Sequence, residues 1–340
     1  MARDYRTFVV ANPKAGSSKV EKEWEVIERH LRNTLDEFDV AFSTGPGHAT
    51  LLTREALKAG WEMVVAIGGD GTLNEVVNGF VDKIDAPSLY TKDPAGWLTR
   101  HDDTLELINP DAVLGLIPIG TGGDFRRTLG WMGTWKDAVE HLGGRDTMDI
   151  DLGQLGYVNH EGEIEGRLFL NIASAGISGD VDARVNKAWK GLGGQASFIY
   201  GLLASFTNWS NAEVVMRIDD EEQIEESVLN VILANGQYFG GGMWAAPSAR
   251  LDDGLFDMIV MGDIPKLKAI RELAKIYKGT HVQANQVWQR TVRSLDIRAS
   301  TPQSTVLLDV DGEQPGMLPA SWDMQPGKIH FKVGPDQPRH

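Results

Sequence analysis

Ile67-Gly68-Gly69-Asp70-Gly71-Thr72-Leu73-Asn74-Glu75 is the stretch on which the reading of this chain turns. Before it lies an apolar run, Met63-Val64-Val65-Ala66, with the length and composition of a buried strand. After it, Leu73, Val76, Val77 and Phe80 recur at the spacing of one helix face. Three glycines therefore join a strand to a helix. Glycine permits positive φ and lets a ligand come close to backbone N–H groups. The helix N-terminus adds unpaired donors and partial positive charge, which suit a phosphate. The glycines also fit a tight turn that binds nothing. Asp70 favours the first reading, because a carboxylate among such amides repels a phosphate unless Mg²⁺ lies between them.

Upstream, Thr7 to Ala11 reads as a strand, Asn12-Pro13-Lys14-Ala15-Gly16-Ser17-Ser18 as its loop, and Lys19 to Leu35 as a helix. Trp24, Ile27, Leu31 and Leu35 share one face of that helix. A second strand, Phe38 to Ser43, leads through Thr44-Gly45-Pro46-Gly47-His48 into a helix ending near Lys58. Strand, loop and helix thus occur three times, which implies a parallel sheet with right-handed crossovers. Ligands in such sheets gather beyond the carboxyl ends of the strands, where all three loops fall. The spacing of a P-loop and the dinucleotide fingerprint are both absent. Lys14 fits a solvated loop as well as a phosphate contact.

Residues 82–112, with Pro87, Asp93-Pro94-Ala95-Gly96 and Asn109-Pro110, read as a long irregular insertion. Val113 to Ile119 is a buried strand ending in a second glycine turn, Gly120-Thr121-Gly122-Gly123-Asp124-Phe125, followed by Arg126-Arg127. Asp124 suits a helix N-cap, a role compatible with holding a metal.

Two domains are the default for 340 residues. Acidic residues outnumber basic ones 48 to 33, a net charge of −15, which opposes broad binding to nucleic acid. Without cysteine, disulfides, thiolate metal sites and cysteine nucleophiles are excluded. No apolar run reaches the roughly 18 residues of a membrane span. The Met1-Ala2-Arg3-Asp4-Tyr5-Arg6 start lacks the apolar core of a signal peptide. A cytoplasmic location is the expectation.

The pattern changes after about Gly144. Short β-like runs fill 147–175, a helical stretch covers about 180–209, and strands follow at Glu213–Ile218, Val228–Ala234, Phe256–Met261, Ser294–Ala299, Val306–Val310 and Ile329–Val333. A helix near 265–278 interrupts them. This predicts a largely antiparallel sandwich. Gly240-Gly241-Gly242 reads as a flexible connection. Arg250-Leu251-Asp252-Asp253-Gly254-Leu255 fits an ordinary Asp-Gly hairpin or a turn that holds a hard cation. Asp309-Val310-Asp311-Gly312-Glu313 is an acidic turn after a β-branched strand.

Asn12-Pro13-x-Ala15-Gly16, Thr44 with Gly47-His48-Ala49, Gly68 to Glu75, Gly120-Thr121-Gly122-x-Asp124-Phe125 and Asp311-Gly312-Glu313 follow one another in a characteristic order. In this the chain resembles the diacylglycerol kinase catalytic-domain family, particularly bacterial lipid kinases related to sphingosine and ceramide kinases. The resemblance runs from about residue 7 to 333. Gly-Gly-Asp-Gly-Thr by itself is shared with NAD kinases and phosphofructokinases.

The resemblance implies a three-layer α/β domain of NAD-kinase/phosphofructokinase type at 1–145, binding ATP. It also implies a mainly antiparallel β-sandwich at 146–333 that contributes a lipid site, with a tail at 334–340. Asn12, Lys14, Thr44, Gly68, Gly69, Asp70, Gly71, Thr72, Leu73, Asn74, Glu75, Gly120 and Thr121 match the nucleotide side. Glu313 matches the general base, assisted by Asp311, with Asp70 among the catalytic acids. Asp70, Asp124 and Asp151 match acids around catalytic Mg²⁺, with Lys14 near them. Asp253 and the carbonyls of Arg250 and Leu255 match a structural Mg²⁺ site. Gly123 replaces the family's usual Asn.

The implied partners are a lipid alcohol and, peripherally, the membrane that delivers it, with a homodimer through an edge strand a further expectation. Trp131 and Trp135, and Trp189 with Lys187 and Lys190, are candidate interfacial groups, and each tryptophan equally fits a core. Kinases of soluble acceptors such as NAD, and a nucleotide sensor without catalysis, are the alternatives. The Asp311-Gly312-Glu313 turn argues against the first, and retention of the acids against the second.

Overall fold

A computed structural model of the chain describes residues 5–82, 84, 86–101, 105–185, 210–265, 275–335 and 337. The strands Phe38–Phe42, Thr7–Ala11, Met63–Gly68 and Val113–Pro118 lie side by side in that order, all parallel. Met63–Gly68 is buried along its whole length, as a central strand covered on both faces must be. Helices Ala15–Thr34 and Trp135–Gly143 cover one face through Val20, Ile27, Leu31, Trp135 and Val139. Helices His48–Lys58 and Asp70–Asn78 cover the other through Ala49, Leu57, Leu73, Val76 and Val77. The first helix starts before the predicted Lys19, but Gly16, Ser17 and Ser18 hold φ near +60°. Its regular turns begin after them.

The sheet continues into the second half of the chain. Met317–Lys332, a strand of 16 residues, pairs in parallel with Val113–Pro118 through His330↔Val113 and Phe331↔Leu114. It also pairs antiparallel with Thr147–Val158 from Met317 to Lys332 and with Ser294–Ala299 through Ala320 to Asp323. Ala212–Ile218 and Glu222–Val228 extend that side. A second, antiparallel sheet runs in the order Val287–Val292, Phe256–Met261, Asn230–Ala234, Ile172–Gly176, Leu308–Val310. Phe169, Met216, Phe256, Leu308 and Trp322 fill one core between the two sheets. The second half is therefore the expected β-sandwich. Val287–Val292 was not among the predicted strands, and Ile329–Val333 proves to be the end of a much longer one.

Residues 82–112 are less irregular than their sequence predicts. A short helix, Ala86–Leu89, leads into an antiparallel hairpin of Tyr90–Lys92 and Leu98–Arg100. Asp93 makes the turn: its side chain accepts from the Trp97 N–H, and its own N–H donates to the Trp97 carbonyl. Tyr90, Trp97 and Leu98 are buried. Trp97 lies between the guanidinium groups of Arg217 and Arg298, each 4.9 Å from its ring. The hairpin thus packs on the second half of the chain. Polarity hid it, because its few apolar residues, Ala86, Tyr90 and Leu98, form a small cluster completed by Ile164, and Trp97 meets Arg217 and Arg298 more than 100 positions away.

Among the described residues no helix is long and apolar enough to cross a membrane. Trp135 is buried, and the Trp131 ring packs on His141 and Phe331 while its N–H donates to Gln337. Trp135 thus has a core role, and Trp131 packs against the core while remaining partly exposed. Lys187, Trp189 and Lys190, the later part of the expected helical stretch at 180–209, and most of the expected helix at 265–278 lie outside the described residues. Only Gly334, Pro335 and Gln337 of the tail lie within them.

Candidate active site

The carboxyl edge of the parallel strands opens into a cleft of about 600 Å³. Asn12 and Lys14 from the first loop, Thr44 from the second, Gly69 to Thr72 from the third, and Gly120 to Gly122 from the fourth line it. Glu75 and, from the far end of the sequence, Glu313 complete the wall. The fold therefore brings together residues up to 301 positions apart, from Asn12 to Glu313.

The glycine loop works by closeness rather than by φ. None of Gly68, Gly69 and Gly71 has positive φ. A Cβ on Gly68 would lie 2.4 Å from the Thr72 hydroxyl, and one on Gly120 2.6 Å from the Gly69 Cα. The two glycine turns touch backbone to backbone. Asn12 Nδ2 donates to Thr72 Oγ1 at 3.1 Å, and Asn12 Oδ1 accepts from the Lys14 N–H. Thr44 is held by His48, whose Nδ1 accepts from the Thr44 N–H at 3.0 Å.

Several predicted nucleotide-side residues have structural tasks of their own. Leu73 turns into the core, and Gly68 ends the buried strand. Glu75 accepts from the Ala49 N–H and so caps the helix His48–Lys58. Asp70 accepts from the N–H groups of Asp124 and Phe125, both at 3.1 Å. The helix Asp124–Thr128 is thus capped by Asp70 from the start of the helix Asp70–Asn78, and Asp124 is its first residue, not its cap. Charge at a helix start is favourable, and this bond locks the two glycine turns together.

Asp124 itself accepts from Arg127 Nη1 at 2.9 Å and from the Gly241 N–H at 2.8 Å. Burial, followed by the charge of Asp70, pushes its pKa up to about 6. Gly241 belongs to the glycine run whose sequence suggested only a flexible connection. Position 123, where the family usually carries Asn, holds φ +67° here, and a Cβ there would meet the Arg126 side chain at 2.9 Å.

A second cavity of about 200 Å³ adjoins the cleft, sharing Asp70, Thr121 and Gly122 with it. Asp124, Asn171, Asp182, Phe239, Asp309 and Asp311 are among its other walls. Asp311 holds φ +49°. Its carboxylate accepts from Asn74 Nδ2 at 2.7 Å and from the N–H groups of Leu170, Asn171 and Ile172. Desolvation raises its pKa to about 6 against those four donors. Glu313 reaches out of the same turn, 46% exposed, and pairs with Arg167 at 2.5 Å. Asp182 and Asp309, both buried, face each other. Burial and then the mutual charge hold Asp182 well above the usual carboxylate range, and burial also raises Asp309.

The proposed metal residues separate into two places. Asp70 and Asp124 stand on the wall between the cleft and the second cavity. Asp151 stands with the Arg250–Leu255 turn, where its carboxylate accepts from the N–H groups of Gly254 and Gly327, both at 2.7 Å. In that turn Asp253 accepts from the Leu255 N–H and Asp252 pairs with Arg250. Among the described residues no three acidic or histidine side chains converge as a metal cluster. Mg²⁺ fits such a donor set nonetheless, because it takes one or two carboxylates and completes its shell with water and phosphate oxygens. The repulsion between Asp70 and Asp124 is the feature a cation would relieve.

Arg167, Asn78 and Asp182 escaped the sequence reading, which took Gly241 only as part of a flexible connection. Asn78 clamps Leu168, giving to its carbonyl and accepting from its N–H. Arg167 left one signal, a charge at the head of the otherwise apolar run Leu168-Phe169-Leu170.

Residues 6–155 match the model of the diacylglycerol kinase catalytic domain, and residues 171–333 that of the YegS C-terminal NAD kinase beta sandwich-like domain. The diacylglycerol kinase of Bacillus subtilis is 26% identical over 331 residues, covering 93% of this chain and 92% of that protein. That of Staphylococcus carnosus is 27% identical over 327 residues, covering 93% and 91%. The crystal structure of a diacylglycerol kinase from Bacillus anthracis superposes with a TM-score of 0.67 at 19% identity, covering 99% of this chain and all of that one. Yeast NADH kinase shares the fold at a TM-score of 0.51 and 11% identity, with 97% and 83% covered. The chain belongs to the diacylglycerol kinase catalytic-domain family, with its kinase-type N-terminal domain and YegS-type C-terminal domain.

Proposed function

From that membership we propose that the chain transfers the γ-phosphoryl group of ATP to a hydroxyl of a lipid alcohol, such as diacylglycerol or a sphingoid base. The observation that carries this reading is the position of Glu313: a half-exposed carboxylate from the C-terminal half, standing in the wall of the glycine-lined cleft. The glycine turns leave their amides open to phosphate oxygens. Asn12, Thr44 and Thr72 order that edge. The acceptor enters the second cavity, which meets the cleft at Asp70 and Gly122.

In the transfer, the acceptor oxygen bonds to the γ-phosphorus and the bond to the ADP oxygen breaks. The hydroxyl proton passes to Glu313. A carboxylate suffices because the transition state is loose and asks for its proton late. Asp311 acts through position: its bonds to Asn74 and to three strand amides hold the turn that carries Glu313. Asp70 and Asp124 would hold Mg²⁺, which when bound offsets charge on the phosphates. Asp253 with the Arg250 and Leu255 carbonyls, beside Asp151, would hold a second, structural ion.

The test is phosphorylation of a total lipid extract by labelled ATP, using wild type, Glu313→Ala and Asp70→Ala. A labelled lipid made by the wild type, and reduced about 10²- to 10⁴-fold without Glu313, is the expected result. ATP consumption without a lipid product points to a soluble acceptor. ATP binding without turnover overturns the enzymatic reading.

A further inference from the structure

Arg167 lies on the strand Ile164–Phe169, its side chain 18% exposed behind the acidic turn. Its Nη2 donates to Glu313 Oε2 at 2.5 Å and to Asn74 Oδ1 at 2.7 Å, and its Nε donates to the same Asn74 oxygen at 3.2 Å. The amide of Asn74 completes a circuit, because its Nδ2 donates to Asp311 Oδ2. One guanidinium and one carboxamide therefore tie together the helix that opens with the glycine loop and both acids of the distant turn. Glu313 receives no other side-chain bond among those described.

We propose that Arg167 is the positioning residue that presents Glu313 to the acceptor hydroxyl and couples the base to the glycine-loop helix through Asn74. This rests on the lipid-kinase reading, with Glu313 as base. A long, half-exposed glutamate has several rotamers, and a planar fork fixed on Asn74 selects one of them. The pairing has a second consequence. When Glu313 takes the hydroxyl proton it loses its charge, so the guanidinium charge is uncovered beside the site as phosphoryl transfer proceeds. Preformed charge of this kind favours the transition state over the ground state. Lysine keeps the charge at this position but not the fork, and glutamine keeps neither.

The experiment measures kcat, KM for ATP and KM for the lipid in wild type, Arg167→Lys, Arg167→Gln, Arg167→Ala with and without guanidinium ion, Glu313→Gln and the Arg167→Gln/Glu313→Gln double variant, with ATP binding followed separately. The expected result is a kcat about 10²- to 10³-fold lower in Arg167→Gln, with KM for ATP and ATP binding within about threefold of wild type. Arg167→Lys should recover about tenfold. The double variant should be no slower than Glu313→Gln, because residues that act as one unit are not additive. Arg167→Ala should regain activity with added guanidinium ion. A multiplicative double variant, or losses in ATP binding that track kcat, would show a structural role and overturn the proposal. Wild-type protein that phosphorylates no lipid overturns the lipid-kinase reading itself, a result separate from any comparison among variants.

Discussion

Asp311 shows how much one residue can hold. It sits at a left-handed φ, accepts four hydrogen bonds, and joins the glycine-loop helix to the sandwich. Four donors on its two oxygens favour the charged form. Burial raises its pKa to about 6, so kcat/KM should fall about tenfold per unit below that pH, as a pH–rate profile would show. Burial raises Asp182 in the same direction, without a comparable set of N–H donors among the described residues. Its folded pKa is raised well above that of the unfolded chain, by burial and by Asp309. Such a group contributes stability that is present while both states are protonated and is lost as pH rises through the carboxylate range. Asp182→Asn should therefore melt higher than wild type at neutral pH, and the difference should vanish below about pH 4. Thermal unfolding from pH 3.5 to 8 checks both signs. Neither residue's environment was legible beforehand: Asp311 was found through its motif, while its four donors lie some 140 and more positions away.

At the level of elements, local pattern gave good guidance wherever a segment is apolar with a clear period. Met63–Gly68, the helix after it and Val113–Pro118 fall where their sequences place them. The hairpin at 90–100 did not, because its apolar residues are few and Trp97 is covered by Arg217 and Arg298 from distant strands. Trp97→Ala should cost about 3–5 kcal/mol, the usual range for losing a buried large aromatic, measured by urea unfolding. Activity in the folded fraction should persist, since the hairpin does not line the cleft. A change of less than about 1 kcal/mol would show that the ring is dispensable. The Asp70 bond to the helix Asp124–Thr128 is a second contact that pattern alone misses. Asp70 stands out in the sequence by its place among glycines, and that it also caps a distant helix depends on the two glycine turns lying side by side.

The whole molecule is tied by its last long strand. Ile329, Phe331 and Val333 complete the core that holds Val64, Leu114 and Phe125, and buried Lys332 donates to the Gly144 carbonyl at 2.5 Å. A fragment of residues 1–145 lacks that strand. It should show no cooperative thermal transition, whereas the full chain should unfold in one transition seen alike by circular dichroism and tryptophan fluorescence. Nucleotide adds a second check. A ligand that binds only the folded state at about 100 times its Kd stabilises by about 2.7 kcal/mol, so ATP should raise that single transition.

By itself the sequence determined the parallel sheet, its glycine turns, the change to antiparallel strands near residue 144, and the acids worth watching. The sheet, the turns and Asp70 follow from hydrophobic period and glycine placement, which act over a few residues, whereas Asp151, Asp253, Asp311 and Glu313 stood out only through the family resemblance. Only the tertiary structure decided that Glu313 enters the first cleft, that Arg167 and Asn74 hold it, that Asp70 caps the helix of Asp124, and that Asp151 stands with the Arg250–Leu255 turn. Those contacts join segments tens to hundreds of residues apart. Which polar groups meet across such distances is set by sheet order and strand register, and neither is written in any local stretch of chain.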